Sequence, residues 1–215
     1  MTGMDEEKLR EQMLLRMKNF KAIGLRETTE FDVITKNTDV HVEQVLDSTL
    51  LLPAEKYQTI MSERIIAEPY LLVYSRRQDT KMYDLAKKIA KEKGLTIVNI
   101  SLHTDADLDC NYQYGAGVEE FLSLIHYAEI VITNSLHGTI FSVILQKQFL
   151  VFPRIHGDKK IDKFLTLLNL EDRKVVDTEQ EIPWQHQIDY KSIMPLLENY
   201  REKSIHYLKY ISELL

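Results

Sequence analysis

The chain of 215 residues carries 27 Lys and Arg against 33 Asp and Glu, a formal net charge of -6, which leaves no broad basic excess to replace the counterions of a nucleic acid. With 44% hydrophobic and 28% charged residues and only 7 Gly and 5 Pro, it has the make-up of a globular protein rich in regular structure, without low-complexity segments or internal repeats. A single cysteine, Cys110, excludes an internal disulfide and a CxxC site; the start is charged where a signal peptide is apolar, and no run approaches the roughly 18 apolar residues of a membrane span, so a cytoplasmic protein is expected.

Leu9, Met13, Met17 and Phe20 recur at helical spacing behind Asp5, Glu6 and Glu7, acids suited to the positive end of a helix dipole, which predicts a first helix over 5–19. KAIGLRE (21–27) alternates as a short strand ending in Arg26 and Glu27. The polar stretch after it and VEQVLDSTLLL predict a small helix, another strand and a turn near Asp47. Pro53 suits the first position of a helix, where its missing N–H costs nothing, and that helix is expected to reach Arg64. YLLVYS (70–75) is apolar and aromatic throughout, as in a strand buried on both faces, and Arg76 and Arg77 follow it. Between Asp79 and Lys93, Met82, Leu85, Ala86, Ile89 and Ala90 share one helical face, and Gly94 terminates the helix.

LTIVNI (95–100) is the next strand, HTDADLDCNYQYGAG a polar loop, and 118–127 a helix. EIVITNSLHGTIFS (129–142) runs as an apolar strand, breaks on Asn-Ser and resumes as a helix. FLVFP (149–153) is a strand that empties into RIHGDKK, 160–170 is helical, and the apolar positions from Ile193 to Ile211 predict a closing helix or helix pair. Strands alternating with helices at this spacing predict an α/β domain with a Rossmann-like parallel sheet and helices on both faces.

In such sheets, ligands lie outside the carboxyl ends of the strands. Arg76 and Arg77 follow one strand, Asn134 to Thr139 another, and Arg154, His156, Lys159 and Lys160 a third. In TNSLHGT, Asn134 or Ser135 can cap the following helix and leave first-turn N–H groups, helped by the dipole, for an anion. Gly138 allows close approach of a ligand or of neighbouring backbone. His137 can donate to a phosphate or act as acid or base near neutral pH. A purely structural reading uses the same residues, with a capped helix after a strand and an Arg26–Glu27 ion pair. The histidines lack metal spacing, and Asp105, Asp107 and Asp109 lack the Gly and terminal Glu of a calcium loop, so no metal is expected.

VITNSLHGTIFSVILQKQFLVF, preceded by GVEEFLSLIHYAE and followed by FLTLLNLEDR, resembles the C-terminal part of the polysaccharide pyruvyl transferase family. FKAIGLRE and VLDSTLLL resemble family segments just upstream, REKS (201–204) fits the final helix, and the likeness spans about residues 20–173. The resemblance implies 1–19 as an N-terminal helix or remnant of a further domain, 20–191 as the Rossmann-like C-terminal domain of a GT-B-type fold, and 192–215 as a C-terminal helix. It implies a transferase that moves pyruvate from phosphoenolpyruvate onto a sugar of a cell-surface polysaccharide or its precursor, without cofactor or metal.

His137 matches the family histidine implicated in catalysis or donor binding, and Leu136 its neighbour. Ser135 stands where many members carry Arg, so Arg26, Arg76 or Arg154 is expected to supply that charge. The chemistry then assigns His137 to proton transfer or phosphate binding, Glu27 to the base, Asn134, Ser135, Gly138 and Thr139 to the phosphate turn, and Arg26, Arg76 and Lys159 to the anion. Members usually carry a whole α/β domain before the segment that begins here near residue 20. Acceptor contacts are therefore expected from a homodimer or a separate N-terminal-domain partner. Two other readings stand beside this one: a GT-B glycosyltransferase with a nucleotide-sugar donor, Tyr112 and Tyr114 forming the base slot, and a noncatalytic binding or dimerisation module using the first and last helices.

Overall fold

The computed structural model describes residues 3–26, 31–101, 109–152, 159–176 and 183–214. Contacts divide the chain into a smaller unit, residues 1–51 with 195–215, and a larger one, residues 52–194. The limits 19/20 and 191/192 follow family resemblance whereas these units follow contact, and the two partitions cut across each other.

In the smaller unit, α1 (Gly3–Met17) leads to β1 (Ala22–Leu25), α2 (Phe31–Asn37) and β2 (His41–Gln44). The two strands pair in parallel, Ala22 opposite His41, and a parallel pair requires the crossover that α2 provides. The expected turn at Asp47 forms because its Oδ1 accepts from both the N–H and the hydroxyl of Thr49. Residues 195–214 pack on this unit: Ser204 Oγ accepts from Leu46 N–H at 3.0 Å, and Arg201 Nε donates to the Leu50 carbonyl at 2.8 Å. A Cβ at Gly24 would come within 2.9 Å of the Tyr207 ring, so β1 needs glycine there.

The larger unit opens with α3 (Ala54–Gln58), which stops well short of Arg64. Pro53 lies one place outside it with extended backbone (φ -75°, ψ 163°), and further on the Ser62 N–H bonds to the Glu119 carbonyl, a tertiary partner that competes with helix continuation. Then follow β3 (Tyr70–Ser75), α4 (Thr80–Lys93), β4 (Thr96–Ser101), β5 (Asn111–Tyr112), α5 (Val118–His126), β6 (Ile130–Thr133), α6 (Leu136–Ile144), β7 (Gln148–Val151), α7 (Lys159–Leu167) and α8 (Tyr190–Leu214). The last helix runs on past Pro195, where the unit boundary falls and where the ring withholds an N–H from the helix ladder.

Five strands make a parallel sheet in the order β5-β4-β3-β6-β7, flanked by helices: a mixed α/β, Rossmann-like architecture. β5 is the one strand absent from the sequence expectation, two residues in a polar loop that pair with Val98 and Asn99. On one face Leu71, Val73, Ile97, Ile132 and Leu150 pack under Met82, Leu85, Ala86 and Ile89 of α4. The alternate residues Leu72, Val98, Val131 and Phe149 point the other way and are just as buried. Helix α4 is bounded by Asp79, whose carboxylate accepts the Met82 N–H at 3.1 Å, and by Gly94 in the left-handed region (φ 66°). The chain leaves β3 for β4 and β5 on one side, then crosses back to β6 and β7 on the other. Strand order therefore reverses between β3 and β6.

Candidate functional site

That reversal sets the carboxyl ends of β3 and β6 side by side, the place where open parallel sheets form a ligand crevice. Two polar side chains fasten it. Thr133 Oγ1 donates to the Tyr74 carbonyl at 2.7 Å and accepts the Ser135 N–H at 3.0 Å. Asn134, only 4% exposed, accepts the Arg76 N–H at 2.8 Å through Oδ1 and donates to the Arg77 carbonyl at 2.9 Å through Nδ2. The loop after β3 and the loop after β6 are thus clasped to each other.

Neither Asn134 nor Ser135 caps α6, contrary to expectation. Asn134 is committed to the neighbouring loop, and Ser135, in the N-cap position with extended backbone (φ -112°, ψ 135°), makes no side-chain cap bond. The amides of Leu136, His137 and Gly138 therefore begin the helix without a side-chain cap, at the positive end of its dipole. Gly138 makes room for neighbouring side chains: an added Cβ would lie 2.3 Å from Thr133 Oγ1 and 2.8 Å from Tyr74 Cδ1. Thr139 is fully buried, its hydroxyl donating to the Ser135 carbonyl at 3.0 Å.

Behind this turn runs a chain of edge-to-face rings that sequence reasoning missed. Tyr57 meets Phe141 at 5.0 Å, Phe141 meets Phe121 at 5.6 Å, and Phe121 meets Tyr74 at 4.9 Å. It ties α3, α5 and α6 to the end of β3. No single one of these aromatics stands out in the sequence.

His137 is exposed in the first turn of α6, and Leu136 beside it is half-buried. Arg76 and Arg77 are exposed, as is Lys159 at the start of α7. The structure thus holds the Arg76 backbone against Asn134, directly before Ser135 and the exposed His137 at the start of α6. Arg26 belongs to the smaller unit, where its Nη1 lies 2.5 Å from Asp47 Oδ2, so its ion-pair partner there is Asp47. Glu27, Arg154, His156, Asp105 and Asp107 lie outside the described residues. Tyr112 and Tyr114 stack on each other, centroids 5.7 Å apart and planes at 18°, which closes the slot between them.

At the opposite, amino end of the sheet the charged groups turn inward. Lys147 Nζ donates to the His126 carbonyl at 2.9 Å, and the Tyr190 hydroxyl lies 2.5 Å from the Lys147 carbonyl. Burial holds Lys147 below its ordinary pKa and pushes Tyr190 up. His126 is lowered by desolvation first and by the Lys147 charge second, and its Nδ1 is buried without a partner among the described residues.

Among the described residues, no group of three or more His, Cys, Asp or Glu is placed to hold a metal ion, and no helix is long and apolar enough to cross a membrane. Fold and site together define a Rossmann-like α/β protein with the N-terminus of α6 set at its switch point. The family description that matches the sequence is polysaccharide pyruvyl transferase, over residues 3–156. The chain belongs to that family, whose members are transferases of polysaccharide biosynthesis. No curated protein matches the sequence.

Proposed function

We propose that this chain transfers the pyruvyl group of phosphoenolpyruvate to a sugar as a ketal, and that the larger unit is the donor-binding part of a GT-B-type arrangement. The observation that carries the reading is His137, exposed in the first turn of α6, whose N-cap residue Ser135 makes no side-chain cap bond, inside the segment that matches the family. Phosphoenolpyruvate presents a phosphate and a carboxylate, which call for helix amides and guanidinium forks.

In the reaction a proton adds to the methylene carbon and C2 becomes oxocarbenium-like. One sugar hydroxyl attacks C2, the C–O bond to phosphate breaks, and a second hydroxyl closes the ketal. Of the two hydroxyl protons, one balances the new methyl group and the other leaves with inorganic phosphate. His137 moves a proton or holds the phosphate; the first-turn amides, Arg76 and Lys159 hold the anion. Asn134, Ser135 and Thr139 fix the turn rather than touch the donor. Arg154 as a further anion contact belongs to the same proposal. So do a sugar acceptor from a cell-surface polysaccharide or its precursor, completion of the acceptor contacts by a homodimer or a separate N-terminal-domain partner, and reaction in the cytoplasm.

The test is phosphate release from phosphoenolpyruvate with a panel of free and nucleotide-activated sugars, the pyruvylated product being read by mass spectrometry. His137→Ala is expected to lower turnover by roughly 10²–10⁴-fold. Equal background from wild type and variant across the whole panel removes His137 from catalysis.

A further inference from the structure

The smaller unit holds a groove of about 740 Å³ that the donor chemistry leaves unused. Its two walls follow from chain periodicity. On β2, His41 and Glu43 alternate and so share one side of the strand; on α8, Glu202, His206 and Tyr210 recur every fourth position, with Lys203 and Tyr207 in the adjacent row. The volume lies within the about 300–1,000 Å³ usual for small-molecule sites.

The groove's chemistry is mixed in a particular way. Two carboxylates, Glu43 and Glu202, face one ammonium, Lys203, and two imidazoles, a near-balance that suits neither a phosphate dianion nor a polyanion. Carboxylates accept, ammonium donates and imidazole does either, an alternation that matches hydroxyl groups, each of which is both donor and acceptor. The His41 ring stands 5.3 Å from Tyr210, nearly perpendicular at 73°, and 5.9 Å from Tyr207, while its Nε2 lies 3.7 Å from the Glu43 carboxylate. Tyr207 rests on Gly24 and is 4% exposed, with a hydroxyl that finds no partner among the described residues. Burial, with Glu43 and Tyr210 nearby, raises its pKa and keeps it a donor.

We propose that this groove binds a saccharide, with Tyr210 and His41 against the C–H face of a sugar ring and Glu43 and Glu202 accepting its hydroxyls. The assignment rests on the transferase reading for the choice of a saccharide as ligand and on the groove alone for its place. Saturation-transfer NMR on the full chain, without phosphoenolpyruvate, tests it with the methyl glycosides of glucose, galactose and mannose and of their N-acetylamino forms. Transfer to the ring protons of at least one glycoside is expected. Affinity should fall about fivefold in Tyr210→Ala, a half-exposed position where folding is not at stake, and by a similar factor in Glu43→Gln, while His137→Ala binds as wild type does. No transfer from any glycoside, or binding as tight in both groove variants as in wild type, overturns the proposal. A silent groove with intact phosphate release sinks the groove alone; saccharide binding without phosphate release sinks the transferase reading alone.

Discussion

At the carboxyl end of the larger unit's sheet, Arg76, Arg77, His137 and Lys159 stand exposed, while at the amino end Lys147, His126 and Tyr190 are drawn inward and Lys147 and Tyr190 are bonded to carbonyls. Helix polarity explains the difference. In a parallel α/β sheet the amino end collects helix C-termini, and the His126 carbonyl that Lys147 engages is the last of α5. The carboxyl end collects helix N-termini, whose N–H groups give a cation nothing to bond. The same residue types thus act as helix glue at one end and remain available for anions at the other.

Four substitutions sharpen or break this contrast. The largest effect is expected from Gly138→Ala, because the atom its Cβ would strike, Thr133 Oγ1 at 2.3 Å, is pinned by two hydrogen bonds and cannot give way. Such overpacking should cost about 2–3 kcal/mol in urea unfolding and weaken phosphoenolpyruvate binding with it. Unchanged stability would mean that the first turn of α6 is not seated as described. Next comes Asn134→Asp, which can still accept the Arg76 N–H but cannot donate to the Arg77 carbonyl. A loss of about 2 kcal/mol is expected, with a clear fall in donor affinity by calorimetry, since the clasp positions the arginine loop.

The smallest effect belongs to the amino end. His126 has a folded-state pKa below its unfolded value, so between the two the unfolded chain holds more protons. Stability from this group is therefore full above the ordinary histidine pKa, near 6.5, and is lost as pH falls below it. His126→Gln should flatten the decline of melting temperature with falling pH, and Lys147→Met should flatten it less, because the Lys147 charge is the secondary cause. Phosphate release at neutral pH should be unaffected by either. Inactivity of Lys147→Met would erase the distinction between the two ends.

The sheet was legible because YLLVYS, LTIVNI and IVIT are rich in apolar and β-branched residues with LLVY, IV and IVI unbroken at their centres, and α4 because Asp79 and Gly94 mark both its ends. The family block around His137 was legible as well. Local sequence could not reveal that α3 ends early, since Ser62 finds its partner at Glu119, nor that the two residues of β5 pair at all. An asparagine before a helix reads as a cap; Asn134 instead reaches main-chain atoms more than fifty positions earlier, a pairing only the strand order creates. Gly138 reads as room for a ligand, and the crowding that demands it comes from Thr133 and from Tyr74 on the neighbouring strand.

Asn134 grips Arg76 and Arg77 by atoms of the main chain. Any residue but proline at the first place, and any at all at the second, offers the same handholds. The loop after β3 can therefore change these two side chains over evolutionary time without loosening the foundation beneath, which makes what the loop presents to solvent a choice separable from folding.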